Sequence, residues 1–181
     1  LILIIFAETG LVVTPFLPGD SLLFAAGALA SISSLNVYVL ILTLILAGIA
    51  GNSTNYAIGY WLGPKVFHFP KSRWFNPIYL TKAHSFYEKY GGRAIILARF
   101  IPIIRTFAPF VAGIARMHWA RYQLFNIIGS VTWVGLFITL GYFFGNVPFI
   151  QKNFSLVMIA IIFISILPPF IEYIKQKRKA N

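Results

Sequence analysis

The stretch from Ala94 to Ile114 constrains this chain more than any other feature. It is apolar and about the length of one membrane span, roughly 20 residues. Basic residues nevertheless lie on both sides of it. Upstream, Pro64–Arg93 carries Lys65, Lys71, Arg73, Lys82, Lys89 and Arg93 against Glu88 alone, and downstream come Arg116 and Arg121. Lys and Arg mark cytoplasmic loops. A crossing helix would put these two basic segments on opposite sides of the membrane. The spacing therefore predicts a segment that enters from the cytoplasm, bends near Pro102 and returns.

The rest of the chain demands a membrane as well. Hydrophobic residues make up 59% and charged residues 10%, a balance that a soluble core of this size cannot hide. A soluble enzyme, a disordered chain and a secreted disulfide module are excluded, the last also because there is no cysteine. The net charge of +11 lies mostly between apolar runs, so it reads as topology and contact with anionic lipid rather than nucleic-acid binding.

Val37–Gly63, Trp119–Gly145 and Phe154–Ile174 are long enough to cross. Leu1–Thr14 reads as a helix whose start lies before Leu1, not as a signal peptide, since no small-residue cleavage site follows. Residues 15–30 are too short for a span and hold Pro18-Gly19-Asp20 near their start. They are expected to form a second hairpin, entering from the outside, opposite to that over 94–114. Phe16-Leu17-Pro18 and Phe100-Ile101-Pro102 echo one another at the two bends. Asn76 and Pro77 open an amphipathic cytoplasmic helix over 77–90, and residues 175–181 form a basic cytoplasmic tail. The expected fold is thus an all-α polytopic membrane protein. It has one membrane domain, 1–174, with an inverted repeat of two oppositely directed re-entrant helical hairpins.

Four charges stand within or beside apolar segments: Glu8, Asp20, Arg99 and Arg105. Each uncompensated charge opposes insertion by roughly 2.5–3.5 kcal/mol at mid-span. Arg99 and Arg105 are separated by Pro102, which breaks the helix and lets both side chains converge on one cavity. Two guanidinium groups suit an anionic oxygen cluster such as a phosphate. Pro18, Gly19 and Ser21 form the turn around Asp20, with backbone N–H groups available to a head group. Carboxylates held away from water take up protons more readily, which makes Glu8 and Asp20 candidate proton-coupling residues. The competing reading is a buried ion-pair network that only joins the hairpins.

Gly48, Gly51, Asn55, Gly59 and Gly63 recur at helical intervals and form a narrow stripe for close helix contact, within the chain or in a homodimer. Asn52 and Tyr56 beside this stripe are candidate supporting residues. Asn126, Ser130 and Thr132 read similarly, as packing ahead of ligand contact. Trp61, Trp74, Trp119 and Tyr122 are expected at the membrane boundary, and Trp133 deeper. His68, His84 and His118 lack metal-ligand spacing, and no phosphate loop or nucleophile elbow occurs, so neither cofactor nor enzyme is expected.

The ordered set Glu8-Thr9-Gly10, Pro15–Leu23, Tyr87–Gly92, Arg99–Pro109, Ala112-Gly113, Asn126–Gly129, Trp133 and Gly141–Gly145 closely resembles the DedA family of membrane proteins, also called the VTT or SNARE-associated type. The resemblance covers nearly the whole chain. It implies a multi-pass protein of the bacterial inner membrane with two opposed re-entrant hairpins. It further implies movement of an anionic lipid between leaflets, undecaprenyl phosphate or a phospholipid, linked to proton-motive force. The family's functional acids match Glu8 and Asp20, and its functional arginines match Arg99 and Arg105. Where relatives commonly have Gly-Asp, this chain has Gly51-Asn52, which removes one carboxylate. Two rivals to the lipid carrier remain: a proton-coupled exporter of small cations or drugs, and a scaffold that assembles other membrane proteins without transporting.

Overall fold

The computed structural model describes residues 1–11, 19–66, 91–153 and 156–157. The expected bend at Pro18, the amphipathic helix 77–90, Trp74, His68, His84, the span 154–174 apart from residues 156–157, and the tail 175–181 lie outside them. Every regular element among the described residues is helical: α1 (Ile2–Gly10), α2 (Gly19–Ile32), α3 (Val37–Val66), α4 (Arg93–Ala98), α5 (Pro102–Ile114), α6 (Trp119–Gly145) and α7 (Pro148–Lys152).

Two of these, over Val37–Leu62 and Trp119–Gly145, are long and apolar enough to cross a membrane. The beginning of α3 is set by Asn36, whose side-chain oxygen accepts from the backbone N–H groups of Tyr38 at 3.0 Å and Val39 at 3.3 Å. Large apolar side chains on both long helices face outward, among them Leu42, Leu46, Leu124 and Phe143. That is the pattern of a helix whose outer solvent is lipid.

Contacts divide the chain into two compact units, one within Leu1–Pro15 and Leu42–Val134, the other within Phe16–Ile41 and Gly135–Asn181. The first unit contains α1, α4, α5 and most of α3 and α6. There α5 packs against both α4 and α1. Its glycines are contact points. A Cβ on Gly51 would collide with Thr9 and the Phe6 carbonyl, and one on Gly59 with the Phe110 carbonyl. A Cβ on Gly113 would run into the Tyr56 carbonyl. Small residues at these positions let α1, α3 and α5 approach backbone to backbone. In the second unit, Gly27 of α2 meets the Ile138 backbone, while Gly141 and Gly145 meet Phe24 and Ala28.

One expected boundary residue is placed differently. Tyr122 is fully buried rather than at an interface. Its ring stacks on Tyr56, centroids 4.3 Å apart, and its hydroxyl donates to the Asn52 carbonyl at 2.8 Å. A tyrosine one turn into a span reads as an interface anchor by position alone; the partner across the groove on α3 draws it inside. Trp61 and Trp119 are exposed, and Trp133 is buried.

Candidate functional site

The site is built around the break between α4 and α5. A proline disfavours helical geometry in the residue before it, and Ile101, preceding Pro102, is extended with φ −117° and ψ 105°. The last turn of α4 tightens accordingly: the N–H groups of Arg99, Phe100 and Ile101 each donate to the carbonyl three residues back, at 3.0–3.2 Å. Pro102 then occupies the start of α5, where its missing N–H costs nothing. Helix α5 continues through Pro109 rather than ending there. Arg99 and Arg105 thus sit on either side of a bend, as their spacing around Pro102 predicts.

Arg99 is 3% exposed. Its Nη2 donates to Asn126 Oδ1 and to Ser130 Oγ, both at 2.7 Å. With the Asn52 amide turned so that its oxygen faces Arg99, that oxygen accepts from Nη2 at 2.8 Å while the amide nitrogen donates to the Thr9 carbonyl at 3.3 Å. In the opposite orientation Asn52 donates to Asn126 Oδ1 at 3.2 Å. Arg99 Nε is buried with no hydrogen-bond partner. Gly129 is what admits this side chain, since a Cβ there would stand 2.9 Å from Nε and 3.0 Å from Cδ. No carboxylate pairs with Arg99 among the described residues; its surroundings are amides and a hydroxyl.

Arg105 is held differently. It forms a salt bridge with the buried Glu8 of α1. Close by in the chain, the Asn55 amide donates to the Thr106 carbonyl at 2.8 Å and the Thr9 carbonyl at 3.1 Å, tying α3 to α5 and α1. Asn126 extends the network by donating to the Ile49 carbonyl at 3.2 Å and Gln123 Oε1 at 3.0 Å. Within this unit, the inner charges among the described residues are two cations and one anion. The arrangement has the sign to receive an anion.

The structure therefore brings Glu8, Arg99 and Arg105 into one unit, with Asn52 beside Arg99. Tyr56 stands in the adjoining aromatic stack, its hydroxyl donating to the Met117 carbonyl. Gly19, Asp20 and Ser21 open α2 in the second unit, with Gly19 and Ser21 buried and Asp20 half-buried. Sequence reasoning undervalued Asn126 and Ser130, placed with packing, and Trp133, expected only to be deep. The signal was available: 126, 130 and 133 fall at i, i+4 and i+7 on one face of α6. Among the described residues, no group of three or more His, Cys, Asp or Glu is placed to hold a metal ion.

These features define a class, the multi-pass membrane proteins with buried charges gathered at a broken helix. The family described as VTT domain matches residues 17–143. Over 182 residues the chain is 54% identical to Protein DedA of Escherichia coli (strain K12), covering 99% of this chain and 83% of that protein. It is 44% identical over 175 residues to the uncharacterized membrane protein Rv0364 of Mycobacterium tuberculosis (strain ATCC 25618 / H37Rv), covering 95% and 76%. With the inner membrane protein YqjA of E. coli K12 it shares 36% identity over 155 residues, covering 84% and 69%. No solved structure matches the chain significantly. The chain belongs to the DedA family of VTT-domain proteins. It is a multi-pass protein of the bacterial inner membrane, and membership supports a general membrane-transport role rather than an enzymatic one.

Proposed function

We propose that this protein carries an anionic lipid between leaflets, a polyprenyl phosphate ahead of a bulk phospholipid, coupled to protons. Arg99 and Arg105 bind the phosphate oxygens, and Glu8 and Asp20 exchange protons. Residues 15–30 and 94–114 act as re-entrant hairpins that shield the head group in turn, with Pro18, Gly19, Ser21 and Pro102 shaping their bends. Asn52 supports the site from α3 beside Arg99, and Tyr56 does so only by packing α3 against the turn after α5. The observation that carries this reading is Arg99: a buried guanidinium with no carboxylate partner among the described residues and its Nε unpartnered, beside an Arg105 that already has Glu8. A buried charge left in neutral surroundings is costly, and a phosphate oxygen supplies both the missing charge and the missing acceptor.

The test is reconstitution in liposomes carrying labelled undecaprenyl phosphate or labelled phosphatidylcholine in one leaflet, with and without an imposed pH gradient. Movement of the polyprenyl phosphate alone, faster with the gradient, is expected. Arg99→Lys and Arg105→Lys keep the charge but lose the planar fork, so each moves that lipid at least about tenfold less well, equivalent to roughly 1.4 kcal/mol. Full flux in both lysine variants, or no flux of either lipid in the unsubstituted protein, overturns the reading.

The hairpin over 94–114 has its own test. Single cysteines replacing Ser72 and Ala120 are both blocked by a reagent confined to the cytoplasm, and one replacing Ser34 is not. Access to positions 72 and 120 from opposite sides would remove the re-entrant topology.

A further inference from the structure

We infer that Trp133 is the positioning residue that makes Arg99 and Arg105 a single anion-binding pair, by offering its indole ring to both guanidinium groups. The inference deepens the phosphate reading of the same site and rests on it. Trp133 lies on α6 and is 1% exposed. The Arg99 Cζ lies over its ring at 5.8 Å from the centroid, and the Arg105 Cζ at 5.6 Å. Both are inside the roughly 6 Å at which a cation is attracted by the negative face of an aromatic ring. One side chain from the helix break and one from the first turn of α5 thus converge on one residue of a third helix. The two positive centres are held no more than about 11 Å apart.

Like charges in a low-dielectric interior repel, so something must draw them together. Glu8 answers for Arg105. For Arg99 the described partners are all neutral, Asn126, Ser130 and, with its amide turned, Asn52, and the indole quadrupole is a further source of negative potential. The means of attraction matters for binding. A guanidinium lying over a ring face spends none of its N–H donors, which point outward in its own plane. A carboxylate partner would occupy two of them. Trp133 therefore holds Arg99 in place while Nε stays without a protein acceptor, which is what a ligand oxygen requires. A leucine of equal burial would fill the space without attracting either cation. The face of α6 that carries Asn126, Ser130 and Trp133 supplies two acceptors to Arg99 Nη2 and an aromatic ring whose centroid is 5.8 Å from its Cζ.

The experiment uses the full chain with Trp61, Trp74 and Trp119 replaced by phenylalanine, leaving Trp133 as the one tryptophan. Tryptophans bearing one, two and three ring fluorines are incorporated there; they preserve shape and progressively weaken the negative face. Binding of radiolabelled undecaprenyl phosphate to the purified protein in detergent is measured across the series, beside Trp133→Phe and Trp133→Leu. Affinity is expected to fall stepwise with fluorine number, to at least about tenfold at three fluorines, with helical content unchanged. Trp133→Phe, which retains a weaker face, falls between the unsubstituted protein and Trp133→Leu. If the unsubstituted ring binds the lipid and affinity stays flat across the fluorinated series, Trp133 only fills space and the inference is wrong. If the single-tryptophan protein and the native chain both fail to bind the lipid, the phosphate reading itself falls and takes this inference with it.

Discussion

The two units of the molecule join helices in different ways. In the second unit, α2 meets residues 135–145 of α6 through glycines: Gly27 against the Ile138 backbone, Gly141 against Phe24 and Gly145 against Ala28. Phe24 and Phe144 add an edge-to-face contact, centroids 5.3 Å apart. The first unit uses the same device at Gly51, Gly59 and Gly113. It then adds a buried carboxylate, two buried or nearly buried arginines and amides that bond across three helices. Close backbone packing suffices to join apolar helices in lipid. The polar investment of the first unit therefore exceeds what assembly requires, and it is concentrated around the break where α4 gives way to α5.

The two units would not differ in kind if the charges of the first proved to be no more than another form of packing. Glu8→Ala tests this with the largest expected effect. Removing one partner of a buried ion pair leaves the other charge uncompensated, at a cost of about 3–5 kcal/mol. The double variant Glu8→Ala with Arg105→Met removes both charges and should recover most of that loss, since an apolar pair of similar volume is often neutral or better. Unfolding of the purified variants in detergent gives the two values. Recovery of stability without recovery of lipid flux would show that the pair serves transport rather than assembly. A loss for Glu8→Ala below about 1 kcal/mol, the scale of an ordinary hydrogen bond, would mean the pair is not tightly coupled at all.

The next effect should be equal in the two units. Gly27→Ala pushes a methyl group into the Ile138 backbone, and Gly59→Ala pushes one into that of Phe110. Neither neighbour is a flexible side-chain end that can turn aside, so the helices must part. Each substitution is expected to cost about 1–3 kcal/mol, the usual range for overpacking, with lipid affinity per folded molecule unchanged. A large loss at one position and none at the other would show that the two units do not share this packing device.

How much of this was legible beforehand depends on whether the signal is local. Helix α6 begins at Trp119 and ends at Gly145, as its unbroken apolar run predicts, and α3 starts at Val37 behind the polar link that holds Asn36. The break between Arg99 and Arg105 follows from one residue, because Pro102 acts on Ile101 directly. The partners of the arginines are a different matter. Glu8 lies 97 positions from Arg105, and Asn126 lies 27 from Arg99. Such pairings depend on how α1, α5 and α6 cross, which glycine contacts decide and composition does not. Tyr122 shows the same limit: its position near a helix end suggests an interface, and only the approach of Tyr56 on α3 explains its burial.

The smallest expected effect concerns Tyr56 and marks the edge of the site. Its ring is 5% exposed and packs among Tyr122, Trp119 and Tyr60, with centroids 4.3, 5.3 and 6.3 Å away. Its hydroxyl donates to the Met117 carbonyl. This bond reaches from α3 to the turn between α5 and α6, where Met117 N–H donates to the Ala112 carbonyl at 3.0 Å and Arg116 takes a positive φ of 52°. The hydroxyl thus helps hold a turn whose left-handed residue is not glycine, a conformation with its own cost. Tyr56→Phe keeps the aromatic stack and deletes one hydrogen bond, so stability should fall by about 1 kcal/mol. Lipid affinity and its dependence on Arg99 should not change. Unfolding in detergent and lipid binding, measured on the same preparation, separate the two quantities. A fall in affinity larger than the fall in stability would extend the site along α3 from Asn52 to Tyr56. It would also mean that the turn after α5 responds to binding at the proposed site, making the aromatic stack part of the surface that works in transport.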